Sequence, residues 1–364
     1  MKTYSDGWNL ELAGKPDFSV AMQRIYAWYQ QEIVDRPPIR FSAHNAEYSS
    51  PPHLRDRKWP DLKARWFDAE FQVDSYIESI KNRKFLAETF PVFWPNLGPE
   101  VYSAFYGSEL TYQEVTSYSV PMVEEWEDVA KIRLDMNNAY FRKLEEMTRL
   151  ALEKCEGSFM VGYTDLHPGA DCCAAWRDPQ NLCLDLICDP DEVKKLITLA
   201  TADFQRIFDH FDTMLKAQRQ LSVTWMGIPS FGKLHIPSCD FAALISKEHY
   251  QEFFLPVLVK EVKGMTHNIF HLDGQGVARH LDVILEVPEI NAIQWVQGMG
   301  PNVPIMQWVP LLKRIQAAGK SVIVDLAVSE LDPFMASMDP KGVFLCISAE
   351  DKMQPDIIKR VERW

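Results

Sequence analysis

The feature that most constrains this chain is a recurring unit. A short apolar run rich in β-branched residues ends in small or polar residues, and a longer stretch with helical spacing follows. The runs fall at 39–43, 90–94, 159–163, 221–225, 268–272, 292–296, 321–326 and 343–347, eight in all. Helical spacing covers 125–152, 191–216, 247–263, 277–285 and 309–318. Some ends are legible: Asp189-Pro190-Asp191-Glu192 and Ser246-Lys247-Glu248 read as helix starts, and Gly319 as a stop. Strands that alternate with helices pair in parallel, and eight of them predict a closed (β/α)8 TIM barrel of the α/β class. A doubly wound sheet would want a glycine-rich phosphate loop after an early strand, and Gly274-Gln275-Gly276 is too short to be one. Residues 1–37 read as an N-terminal helical cap on a single barrel spanning 38–364, with a helical insertion around 97–150.

Charge narrows the partners. The 38 Lys and Arg against 51 Asp and Glu leave a net charge of −13, which repels nucleic acid and anionic lipid. Arg55, Arg57 and Lys58 form the densest basic stretch and read as a solvated loop. No apolar stretch approaches the roughly 20 residues of a membrane span, and the opening residues carry no secretory pattern. The 7 cysteines, without paired short spacings, read as reduced thiols of a cytoplasmic protein, with adjacent Cys172 and Cys173 as small buried residues.

Chemistry in such a barrel gathers where strands end. The fifth run closes on His271-Leu272-Asp273, and residues at i and i+2 of a strand share a face. Cys346 closes the eighth run, and Cys239 or Asp240 follows the fourth. We read His271, Asp273, Cys346 and Cys239 as a zinc ligand set, since imidazole, carboxylate and thiolate suit that ion. The bland reading of such a histidine is a hydrogen-bonded mouth residue. Asp165, His167 and Asp171 form a second cluster, in which Asp165 and His167, with Asp273, are candidate acid–base residues; a helix cap and an exposed loop histidine are the alternative. His44, Asn96, Tyr163, Trp225, Gln294 and Trp295 are candidate substrate contacts, and Trp94 and Phe231 could extend an aromatic wall or fill core. Nucleophile elbow, P-loop and HExxH patterns are absent from the sequence.

Arg36-Pro37-Pro38, the stretch ISKEHYQEFFLPVL at 245–258 and above all IFHLDGQGVARHLDVILEVPEINAIQWVQG at 269–298 resemble the uroporphyrinogen decarboxylase superfamily. The resemblance implies a (β/α)8 barrel. Decarboxylases of the superfamily follow their first strand with arginines that grip substrate carboxylates and keep an aspartate after the second. Here those stretches read Ser42-Ala43-His44-Asn45 and Trp94-Pro95-Asn96, which argues against porphyrinogen decarboxylation. The other branch holds zinc-dependent methyltransferases that work with corrinoid proteins, through His-x-Cys and a later Cys. His271-x-Asp273 followed by Cys346 departs from that motif in one ligand. The resemblance thus implies a methyltransferase that moves a methyl group between a small methoxy or methylamine-type compound and a corrinoid protein partner, with zinc as cofactor. It leaves a homodimer open. The alternatives are a decarboxylase and a non-catalytic binding barrel.

Overall fold

The computed structural model of the protein describes residues 10–42 and 52–364. Its centre is a curled parallel sheet of six strands. These are β1 (Ile39–Ser42), β4 (Leu234–His235), β5 (His267–Asp273), β6 (Ala292–Val296), β7 (Ser321–Leu326) and β8 (Val343–Ser348), in the order β1-β8-β7-β6-β5-β4. A separate parallel pair joins β2 (Val92–Phe93) to β3 (Met160–Val161). The ladders among the described residues therefore draw a six-stranded half-barrel with a detached pair, and not the continuous eight-stranded closure predicted from the sequence. Single backbone–backbone hydrogen bonds, with side-chain bonds beside them, bridge the gaps: Glu88 N–H donates to Ile39 O at 2.8 Å, and Tyr163 N–H to Val223 O at 2.9 Å.

Besides the gap between β1 and β2, the ladder fails at the predicted fourth strand. The run at 221–225 forms one antiparallel bridge, Ser222 with Ser230. The chain doubles back through Gly227, whose φ of 66° suits a residue without Cβ, so Ser222 spends its backbone bonds on its own return. β4 follows instead and lies beside β5.

Alternation sorts the strand side chains into two layers. Ile269, Ala292, Ile323, Phe344 and Cys346 point inward and share one core with Met160, Val223, Leu234 and Ile236. Phe270, Leu272, Ile293, Trp295, Val324 and Leu345 point outward, under the surrounding helices. Helix α1 (Phe18–Tyr29) joins the inner core, because Phe18, Ala21, Met22, Ile25, Tyr26 and Tyr29 recur at helical spacing on its buried side. Trp28 is fully buried there, and its indole N–H donates to Gly342 O at 3.0 Å. The helix thus stops the end of the sheet away from the strand C-termini. Each such large buried side chain contributes about 1.5–3 kcal/mol.

The segment around 97–150 is less helical than the sequence predicts. It holds a short helix, Val101–Ala104, and a hairpin of Leu110–Tyr112 with Ser117–Ser119, and its long helix begins only at Ala139. The predicted helix over 125–152 breaks because Asp135 bonds the N–H of Asn137, and Asn138 caps the later helix through Phe141 N–H at 2.9 Å. Among the described residues no helix is long and apolar enough to cross a membrane.

Candidate metal and proton-handling site

β5 carries His271 and Asp273 on its inward face, at the C-terminal edge. The chain after β4 runs alongside: Ser238 bridges His271, and Pro237 O accepts from the His271 N–H at 2.9 Å. The turn that follows, Asp240–Leu244, brings in a third donor. The ligand atoms of Asp240, His271 and Asp273 all lie within 4.8 Å of one another. The ring of His271 is held on two sides. Its Nδ1 lies 2.6 Å from Gln294 Oε1, which only accepts, so Nδ1 carries the proton and Nε2 keeps its lone pair. Trp225 packs edge-on at 5.4 Å between ring centres. Among the described residues no lysine, arginine or histidine forms a salt bridge with Asp240 or Asp273. Burial pushes the Asp240 carboxyl up to about 7; the charges of Asp171 and Asp273 add to this, and His271 opposes it.

The second sequence cluster belongs to the same site. Asp171 stands in the first turn of α2 (Ala170–Arg177) and spans the chain before and after Asp240. Its Oδ2 accepts from the Ser238 hydroxyl at 2.8 Å and its Oδ1 from the Phe241 N–H at 3.0 Å. Ser238 Oγ also lies 3.0 Å from His167 Nδ1. The far nitrogen of that ring, Nε2, is 3.9 Å from Asp165 Oδ1, a buried atom without a hydrogen-bond partner. Burial drives the Asp165 carboxyl well above the usual carboxylate range. Burial also lowers the His167 imidazole to about 4; Asp171 opposes this, while His235 and His271 add to it. His167 is therefore a neutral ring at neutral pH, beside a carboxyl group that burial biases towards its protonated form. Asp165 and His167 share their cleft with Trp225 and His235. Behind it, His235 Nε2 meets Glu261 Oε1 at 2.5 Å, and burial disfavours charge on both.

The remaining predicted residues divide between this site and other parts of the fold. Cys346 points inward but joins no group of three potential ligand atoms among the described residues; Arg40, its register partner, hydrogen-bonds its thiol, and burial pushes that thiol up to about 12. Cys239 faces the outer core, one residue out of phase with Ser238 and Asp240, and joins no such group either. The two cysteines thus stand apart from the cluster of Asp240, His271 and Asp273, because strand parity and register set them elsewhere. Parity likewise turns Trp295 outward onto Trp308, at 4.9 Å, and Tyr163 outward, where its hydroxyl donates to Leu234 O at 2.8 Å, although Tyr163 still lines the cleft shared by Asp165 and His167. Gln294 and Trp225 face His271. Asn96 accepts from Gly98 N–H at 2.7 Å, closing a turn after β2. Phe231 packs on Tyr26 of α1, at the opposite end of the sheet. His44 lies outside the described residues. Sequence reasoning missed Ser238, yet an inward phase running through Leu234, Ile236, Ser238 and Asp240 would have found it. A further group, His53, Glu70 and Asp74, sits at the surface, where Arg57 and Lys154 form ion pairs with its carboxylates.

No protein-family model matches the chain. No curated protein matches it either. Among solved structures, it is similar to a methyltransferase from Methanosarcina mazei, with a TM-score of 0.58 over 94% of this chain and 98% of that one, at 10% identity. A likeness at that identity is one of fold.

Proposed function

We propose that the protein is a metal-assisted methyltransferase of the uroporphyrinogen decarboxylase-like kind, on a (β/α)8 barrel. It would move a methyl group between a small methoxy or methylamine-type compound and a corrinoid protein. The observation that carries this reading is the convergence of Asp240, His271 and Asp273 at the C-terminal edge of the sheet. The sequence resemblance and the shared fold support it.

The donor set fits a divalent cation. Two carboxylates crowd one imidazole whose Nε2 is free and whose Nδ1 is fixed by Gln294, which is how protein metal sites orient histidine. A tetrahedral ion such as zinc would take Asp240, His271 and Asp273 and keep one open position. Asp240 stands where a cysteine donor was expected, so the set is harder than a thiolate site and suits an oxygen or nitrogen substrate. Such an ion supplies Lewis acidity at the methyl-bearing heteroatom.

This chain's own residues handle the proton. When the methyl group departs, the carbon–heteroatom bond breaks with both electrons left on the heteroatom, which then takes up a proton. Burial favours the protonated form of the Asp165 carboxyl, which could supply one, and the neutral His167 ring lies 3.9 Å from it. Trp225 shields the edge of His271.

The test is methyl transfer to cob(I)alamin from a panel of methoxy and methylammonium compounds, with zinc-loaded protein. The wild type is expected to transfer and His271→Ala to lose both zinc and transfer. Zinc-loaded wild type that methylates nothing from any donor of the panel would overturn the reading.

A further inference from the structure

We propose that Asp171 is a positioning residue: through the single hydroxyl of Ser238 it fixes which nitrogen of His167 carries the proton. Ser238 has one proton to donate and lies within bonding distance of two groups, Asp171 Oδ2 at 2.8 Å and His167 Nδ1 at 3.0 Å. Both Asp171 oxygens accept, one from Phe241 N–H and the other from Ser238. The Ser238 proton is therefore committed to Asp171. The only bond left to His167 Nδ1 is one in which it donates to Ser238 Oγ. The ring is thus locked as Nδ1–H, and its Nε2, left as an acceptor, lies 3.9 Å from the buried Asp165 Oδ1, beyond hydrogen-bond distance of an atom that has no hydrogen-bond partner.

The same carboxylate fastens both sides of Asp240, so one residue joins the proton-handling pair to the donor cluster. The functional meaning rests on the methyltransferase reading: His167 meets the substrate as a hydrogen-bond acceptor, and so takes substrates whose reacting group carries an O–H or N–H in one of its forms. The tautomer itself does not rest on that reading.

Asp171→Asn separates the two roles. An amide retains a carbonyl for Phe241 N–H but turns an NH2 towards Ser238, so Ser238 must accept from it and give its own proton to His167 Nδ1. His167 then becomes the Nε2–H form. Nitrogen-15 spectra of histidine-labelled full-length protein, with His167 assigned by its loss in His167→Gln, read this directly. The wild type is expected to show a protonated Nδ1 and a bare Nε2, and Asp171→Asn the reverse, at unchanged zinc content. Ser238→Ala is expected to remove the preference and Ser238→Thr to restore it. A bare Nδ1 in the wild type, or an unchanged ring in Asp171→Asn, overturns the proposal. A swapped tautomer with methyl transfer reduced less than tenfold removes its functional half alone. Wild type with the Nδ1–H ring but without methyl transfer sinks the methyltransferase reading and leaves the tautomer standing.

Discussion

His271 Nδ1 lies 2.6 Å from Gln294 Oε1, and the two residues are register partners on neighbouring strands. The bond is thus built into the sheet, with the backbone ladder setting the distance between the two side chains. Removing such a partner from a metal-binding histidine typically costs about 10–100-fold in affinity. Gln294→Ala is expected to weaken zinc binding by that factor, as read by titration calorimetry, while Gln294→Glu, which keeps an acceptor oxygen, retains most of it. Equal affinities in all three proteins would show that the bond does not orient the ring.

The choice between Asp240 and Cys346 as third donor has a direct outcome. Asp240→Asn should abolish stoichiometric zinc binding, and Cys346→Ser should leave the metal content of the purified protein at the wild-type value, since among the described residues that thiol joins no group of three potential ligand atoms and interacts with Arg40. Loss of zinc from Cys346→Ser would reinstate the sulfur ligand.

His267 gives the molecule a pH dependence remote from the site. It stacks on Tyr29 of α1 at 4.0 Å between ring centres, its Nδ1 lies 2.9 Å from Ser230 Oγ, and burial lowers it from 6.5 to about 4. Between those values the unfolded chain binds more protons than the folded one, so stability rises as pH climbs through the window and is lost as pH falls. The contribution is on the order of 3 kcal/mol across it. The thermal midpoint should therefore fall on acidification from pH 6.5 towards 4, and His267→Gln should flatten that slope. An unchanged slope would move the acid sensitivity to other groups.

Trp28 tests the stopper. Its ring is fully buried against Phe344, at 5.3 Å, and its N–H bonds Gly342 O. Trp28→Ala should cost about 3–5 kcal/mol in urea unfolding followed by circular dichroism. A loss under 1 kcal/mol would mean that the helix packs on the sheet without supporting it.

The long strands were legible because period 2 and apolar content coincide there: β5 to β8 fall within a residue or two of the runs read from sequence. Parity on β5 likewise puts His271 and Asp273 on one face. What escaped has a physical reason. Whether 221–225 enters a ladder is decided by the turn at Gly227, not by the apolar content of the run. Cys239 belongs to the zinc set read from the sequence, but the phase set by β4 turns it into the core and leaves Asp240 beside the strand. The metal set and the acid–base cluster read as separate because Asp171 and Ser238 stand 67 positions apart, and only the parallel passage of the chain beside β5 brings the two together.

With α1 packed against one end of the sheet, His271 and Asp273 stand at the opposite edge. A methyl source and its recipient would then share a single doorway. Under the proposed methyl transfer the two would have to queue there or lie one on top of the other, and a recipient too large to enter would have to press its reactive centre against the rim while the source waits below.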